Sequence, residues 1–494
     1  MIGVVIDYIG NSISCKKDSI CQNIWSHEIH SRFGADFYPN HYREKAILNK
    51  ILIIGAGMTG LCAAWYLRER FSADAVRVLE AGDVPGGTAR SAREGDFTCE
   101  WGPNGFLDKE PKTLQWLDEL GLGTELVRAN EAAAHRFVYR NGTLHEVKPP
   151  PGFLLSPLMS LRGRLRLLCE PLIKAKRNDE PESIWDFARR RIGREAADIL
   201  VSPMVSGVYG GDAKQLSLVH CFPIMAEMER TYGGLFKALR AKRKSGSAAM
   251  GPRGTLTSLP EGIGRVPEVA ASALGDALVT GCAVTGIRKA GAGFSVETSV
   301  GETYEAAAVV VAAPAYAAAE FCGAFGRDLV GALKGIPYAG IAVVCTGFAR
   351  EQVKHDLNGF GFLVPRAEGM RALGCLWDSS IFPKRAPEGH VLLRTMYGGA
   401  TDPGAVQLSD DELLALWRKE IGPIVGASGE PAHVRIYRWT RGIPQYTLGH
   451  GVRLRAIESA EDEYPGLVFA GNAYRGVSLN DCVLSARRAV DMIG

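Results

Sequence analysis

The sequence predicts an α/β chain: a discontinuous Rossmann-like domain, a mostly antiparallel sheet domain and a helical insertion. Three observations carry that prediction. Near the start, the apolar run Ile51-Leu52-Ile53-Ile54 breaks into Gly55-Ala56-Gly57-Met58-Thr59-Gly60 and opens a helix-like stretch, Leu61 to Leu67. Near the end, Val468-Phe469-Ala470-Gly471-Asn472, followed by Gly476-Val477, reads as the other half of the same site. Between them the pattern turns helical from Pro149 to Lys244 and then returns to short strands.

The first element is justified by its context, because a strand, a Gly-x-Gly-x-x-Gly turn and a helix in that order make a dinucleotide fingerprint. Gly55 permits the tight turn, Gly57 lets the backbone approach a pyrophosphate, and Gly60 allows helix to pack on strand. The phosphates then meet the positive end of the helix. The next strand, Val76-Arg77-Val78-Leu79, ends in Glu80 and Ala81. An acidic residue about 20 positions after the glycines binds ribose hydroxyls, which favours FAD or NAD over NADP. Gly86-Gly87-Thr88-Ala89-Arg90-Ser91 follows. A glycine pair just after the ribose acid resembles the second flavin motif of the FAD-linked amine oxidase and desaturase superfamily. Val84 and Thr88 stand where that motif often carries basic residues. Arg90 is the remaining cation nearby, and its guanidinium fork suits phosphate oxygens.

At 494 residues the chain has room for two to four domains. Hydrophobic content of 46% and charge of 22% describe an ordinary globular protein, and the net charge of +3 comes without a basic cluster interleaved with aromatics, so nucleic-acid binding is set aside. Eleven cysteines without a Cys-x-x-Cys pair indicate neither a zinc site nor a disulfide framework and fit a reducing, cytoplasmic setting. The small-apolar run from Ala306 to Ala319 is broken by Pro314, too short to span a bilayer, and reads as a buried strand at Val309-Val310-Val311. Residues 1–48 lack a sustained period and carry Asp7, Asp18 and Glu28, which fits neither a secretory signal nor a transit peptide. They are expected to be a poorly ordered extension. His27 and His30, three apart within it, have no third metal ligand in view.

The insertion opens with leucines at 165, 168 and 172 at helical spacing, with basic residues between them. Such a helix suits either a domain surface or an anionic membrane face. Gly281 to Arg288 and Phe294 to Thr298 read as strands that rejoin the nucleotide domain, with Val284 at its adenine end. Ile341-Ala342-Val343-Val344-Cys345 and Val391-Leu392-Leu393-Arg394 belong to the antiparallel, substrate-facing sheet. The expected division is 49–130, 246–320 and 435–494 for the nucleotide domain, 131–245 for the helical part and 321–434 for the sheet.

With these pieces placed, the chain from about Ile51 onward resembles the oxygen-dependent porphyrinogen oxidases of haem biosynthesis, which act on protoporphyrinogen IX or coproporphyrinogen III. The stretches that carry the resemblance are Trp101-Gly102-Pro103-Asn104-Gly105-Phe106, Val201 through Asp212, and Gly254 through Gly262. Trp439, Pro444-Gln445-Tyr446, Gly449-His450 and Gly471 through Asp481-Cys482 add to it. It implies a noncovalent FAD, a substrate domain and a membrane-associating helical domain. It also implies removal of six hydrogens from a porphyrinogen, with O2 as acceptor and peroxide as by-product, on a cytoplasmic membrane face with hand-off to neighbouring haem-pathway enzymes. By position it puts Gly102, Pro103, Asn104 and Gly105 against the flavin and Val284 near the cofactor. Asn472, Val477, Ser478 and Leu479 fall at the isoalloxazine end, where a helix N-terminus would stabilise negative charge on the reduced ring.

Because a cofactor would carry the redox chemistry, no catalytic triad or carboxylate pair is expected, and His135, His220 and His450 read as structural. The resemblance places Leu363 and Phe382 where relatives sandwich a flat tetrapyrrole. Arg366, Arg371 and Arg394 are candidates for its propionates. The competing readings are an amine oxidase or desaturase-like enzyme, for which Tyr474 would need an aromatic partner, a covalent flavin on Cys482, and a flavin-bound scaffold without turnover.

Overall fold

A computed structural model describes residues 51–148, 156–178, 180–244 and 254–494, so the extension with His27 and His30 lies outside the described residues. Ile51–Ile54 (β1) is followed by the helix Met58–Arg70 (α1) and the strand Val76–Leu79 (β2). These open a five-stranded parallel sheet ordered Leu278–Val279, β2, β1, Ala308–Val311, Leu467–Phe469. Ile51 lies beside both Val76 and Ala308, and Val309 lies beside Leu467. Alternate side chains of these apolar strands enter two cores, as a sheet covered on both faces requires. Ile51, Ile53, Val76, Val78 and Val310 pack under α1 and the helices Arg265–Leu274 and Leu479–Ile493. Leu52, Ile54, Leu79, Val309 and Val311 pack under Ala315–Phe321, Arg327–Lys334 and His450–Glu463.

The second sheet has seven strands in the order His433–Pro444, Tyr338–Ala349, His390–Gly398, Ala372–Leu376, Gly361–Leu363, Arg136–Arg140, Thr143–Glu146. Its pairs are antiparallel except Gly361–Leu363 with Arg136–Arg140. Two segments therefore belong elsewhere than their sequence neighbours suggested. The Arg136–Glu146 hairpin extends this sheet rather than opening the helical part, and His433–Pro444 pairs along Tyr338–Ala349 rather than rejoining the nucleotide domain. Both docking partners lie far along the chain, beyond the reach of local pattern.

The helical part runs from Leu161–Leu168 through Ile184–Ile192 and Ser202–Tyr209 to Leu235–Lys244. Its apolar core contains Ile184, Phe187, Met204, Phe222 and Met225. An ion network is buried with it. Arg191 donates through Nε to Glu170 at 2.8 Å and through Nη1 to Glu229 at 3.2 Å, while Arg190 bridges Glu182 and Glu229.

Candidate functional site

The glycine turn after β1 builds a cradle whose shape excludes side chains. Gly55 has φ +104°, and an added Cβ at Gly60 would lie 1.9 Å from the Gly55 oxygen. Gly57 caps α1 with no side-chain hydrogen bond and no acid in the first turn, so the N–H groups and positive end of the helix face outward uncompensated. A Cβ at Gly57 would meet nothing closer than Gly87 Cα at 4.0 Å. Gly86 and Gly87, at φ +113° and +58°, complete the cradle: Gly86 N–H donates to Ala56 O at 2.8 Å, and Gly57 and Gly86 form a bridge. Glu80 stands at the end of β2, where its carboxylate accepts from Ala56 N–H at 2.6 Å and Gly82 N–H at 2.9 Å. Ala81 beside it is exposed. Cys282 N–H donates to Glu80 O, so the chain leading into Val284 runs along this end of the groove.

Buried charges hold the loop from Thr88 to Gly105. Glu100 accepts from Ile263 N–H at 3.0 Å, from Ser91 and, as an ion pair at 2.9 Å, from Arg385. Burial nevertheless raises the Glu100 carboxyl above its ordinary range. Arg394, on the sheet, pairs with Asp378 at 3.0 Å and donates to Gly102 O at 2.9 Å. Trp439 Nε1 donates to Trp101 O at 2.7 Å. Arg90 lies beside the Trp101 and Trp439 rings and donates to Val84 O. Arg90 Nε, Trp101 Nε1 and Asn104 Oδ1 are buried polar atoms with no partner. Orphans of that kind call for a ligand or water.

At the far side, Gly471 has φ +126° and donates to Ser485 Oγ at 2.9 Å. Ser478 caps Leu479–Ile493 in a reciprocal box with Asp481, whose carboxylate accepts from Ser478 N–H at 3.0 Å and Ser478 Oγ at 2.6 Å. Gly476 makes room for that carboxylate, since a Cβ there would come within 2.3 Å of Asp481 Cγ. Thr59 Oγ1 donates to Cys482 O at 3.3 Å, tying the first glycine helix to this last one. Orphaned polar atoms, a side-chain-free cradle and the uncapped start of α1, with the start of a second helix facing the cavity, together fit a flavin dinucleotide.

These parts converge on one cavity of about 400 Å³. Met58, Thr88, Gly102, Pro103, Asn104, Gly105, Asn472, Val477, Ser478 and Leu479 line it, and so does Leu363, whose Cδ2 fills the space left by Gly207. The cradle residues Gly55, Ala56, Gly57, Thr59, Gly60, Glu80, Gly86, Gly87 and Arg90, with Ala81, Val284 and Gly471, lie beyond the lining. Phe382 is not in the lining itself: it is buried with Ala133 and Ile381 in a cluster against which the lining residues Leu256, Phe360 and Leu376 pack. Arg366 binds Thr401 and Arg371 pairs with Asp402, both off the cavity. Arg136, overlooked inside a segment read as helical, lines the cavity with its guanidinium over the Phe360 ring at 5.1 Å. The signal that would have exposed it is the run Phe137-Val138-Tyr139 of aromatic and β-branched residues beside Arg136, a strand composition.

Tyr474 is buried away from the cavity against Phe469, and its carbonyl accepts from His450. Cys482 lines the cavity, and burial pushes its thiol up to about 12, which disfavours the thiolate form. His135 pairs with Glu146 at 2.6 Å outside the cavity, and the His220 and His450 rings pack edge to face at 5.1 Å.

Residues 58–493 match the family model described as flavin containing amine oxidoreductase. The coproporphyrinogen III oxidase of Bacillus subtilis (strain 168) is 30% identical over 460 residues, covering 89% of this chain and 97% of that protein. The chloroplastic protoporphyrinogen oxidase of Oryza sativa subsp. japonica is 32% identical over 471 residues, covering 90% and 87%. A solved structure from Exiguobacterium sp. 255-15 superposes with a TM-score of 0.78 at 26% identity, covering 90% of this chain and 98% of the other.

Proposed function

This chain belongs to the flavin containing amine oxidoreductases and, among them, to the porphyrinogen oxidases, and on that premise we propose that it converts protoporphyrinogen IX or coproporphyrinogen III to the porphyrin with FAD and O2, releasing H2O2. The observation that carries this reading is the composition of the cavity. Among the described residues its lining holds no histidine, aspartate or glutamate, only apolar and aromatic groups, small polar ones and the cations Arg136 and Arg394. Such a wall suits a flat apolar macrocycle and leaves acid–base chemistry without an agent. Bound flavin would supply two-electron oxidation, repeated three times.

The chain's own residues bind and orient. The Gly55–Gly60 and Gly86–Gly87 loops would take the pyrophosphate, Glu80 the ribose, and the capped start of Leu479–Ile493 the ring. Arg394 is engaged by Asp378 and Gly102, so it holds the loop in place; Arg136 stands at the wall as the partner for a substrate carboxylate. Leu363 packs against one face of the macrocycle. Leu363→Asp is expected to abolish turnover with flavin absorbance unchanged, because a carboxylate would be desolvated against the substrate.

No helix among the described residues is long and apolar enough to cross a membrane. Leu161, Leu165, Leu168 and Leu172 are nevertheless 68%, 54%, 49% and 80% exposed, with Arg162, Lys174 and Arg177 exposed nearby, while this helix buries only Gly163 and Leu167. An apolar ridge flanked by cations fits the inner, anionic face of a membrane, where product would pass to the next haem-pathway enzyme.

The test is anaerobic mixing with each porphyrinogen in turn. Bleaching of the flavin followed by uptake of about three O2 per porphyrin formed is expected. Oxygen uptake with benzylamine and none with either porphyrinogen would overturn the reading.

A further inference from the structure

The core of the helical part is not completely filled. Between the helices Ile184–Ile192 and Ser202–Tyr209 and the residues that pack across them lies a void of about 30 Å³, walled by Phe187, Val201, Met204, Phe222, Met225 and Leu235 among others. Among the described residues every one that lines it is apolar and buried. A water molecule needs about 10–15 Å³ of such space and two to four polar partners. The volume is met here and the partners are missing, so the void is a dry, apolar site.

Met204 lines this void and the reaction cavity as well. It is carried by Ser202–Tyr209, whose Ser206, Gly207 and Val208 also line the cavity, while Val201, one turn back, lines the void. The two spaces are therefore neighbours across an unbranched side chain with three rotatable bonds, the kind that moves most readily within a core. The chain enters this helix through Ala197–Val201, which is wound as a π-helix, and such wider turns inside helices occur frequently at functional sites.

We propose that this void binds dioxygen and holds it beside the reaction cavity, with Met204 as the partition between them. An apolar diatomic fits the volume, and burying two atoms, each about the size of a CH2 group, favours it there over water roughly tenfold. A charged or hydrogen-bonding ligand would find no partner in such a wall. The proposal rests on the oxidase reading, in which each two-electron step consumes one O2. Dioxygen enters where Arg136, Phe360 and Leu363 leave the cavity half-exposed, and a molecule held behind Met204 stays within reach once a macrocycle occupies the cavity.

Crystals of flavin-loaded protein under xenon pressure report on the site directly, and xenon density between Phe187, Met204 and Phe222 is expected. In solution, flavin reduced with one equivalent of dithionite is mixed with O2 in stopped flow. Ala188 lines the void and not the reaction cavity. Ala188→Val, which adds bulk to that wall, should slow reoxidation roughly threefold to tenfold, while anaerobic bleaching by porphyrinogen keeps its rate. If that variant loses its flavin, the parent protein decides: xenon should slow reoxidation as its pressure rises, and helium at equal pressure should not. Absence of xenon beside Met204, or xenon bound there with reoxidation unchanged, would overturn the proposal. If xenon binds and slows the reaction with O2 but neither porphyrinogen bleaches the flavin, the oxygen site stands and the porphyrinogen reading falls.

Discussion

At Gly57 the empty volume in front of the backbone is the functional feature, because no atom but Gly87 Cα comes within 4.0 Å of an added Cβ. Gly57→Asp would fold without a clash there and put a carboxylate where phosphates approach α1. The purified variant is expected to be colourless, and full flavin absorbance in it would remove the cradle from the reading. Asp481 gives the second prediction. Burial lifts its carboxyl from 3.8 to about 7 despite the Ser478 bonds and the Lys109 charge. A carboxyl raised in the fold binds its proton more tightly there than in the unfolded chain, so its stabilising contribution is full below about pH 4 and is lost as pH rises toward about 7. Asp481→Asn should flatten that part of the profile, seen as a gain relative to the parent in urea unfolding at pH 8 that vanishes at pH 4. His450, lowered to about 4 by burial, has the opposite slope, and subtracting variant from parent at each pH isolates Asp481.

Among elements, β1, the glycine turn and β2 were legible because the signal for each lies within a few residues of itself. The strands at Val309, Ile341 and Val391, and the helices at Leu161 and Ser183, were legible by period. Pairings were not. Nothing local in Arg136–Arg140 says that Gly361–Leu363 will lie beside it, and so Arg136 escaped notice. The helical part adds a feature no pattern announces: Arg191 and Glu170 are both fully buried, held in register by Glu229 and by the Leu235 and Phe236 N–H groups that donate to Glu170. Glu170→Gln would leave the arginine with one carboxylate fewer. A loss of about 3–5 kcal/mol is expected in urea unfolding, as for a broken buried pair, whereas an unchanged midpoint would show that Glu229 carries the charge alone.

For the molecule as a whole, the exposed leucine ridge predicts where it meets a membrane. Replacing Leu165 and Leu172 by Ser should weaken binding to anionic phospholipid vesicles at least tenfold, since each buried leucine is worth about 1.5–3 kcal/mol, with solution turnover unaffected. Equal sedimentation of variant and parent with vesicles would direct attention to another surface. The parallel sheet carries a further consequence, for biosynthesis. Its strands come from residues 51–79, 278–311 and 467–469, and the helix that closes the ring end of the groove runs from Leu479 to Ile493. Long-range strands of this kind join late. While the ribosome still holds these C-terminal residues, the glycine cradle has neither its outer strand nor its second helix end. Flavin capture therefore waits until these residues have emerged, and a nascent chain stalled before Leu467 should remain without cofactor however long it waits.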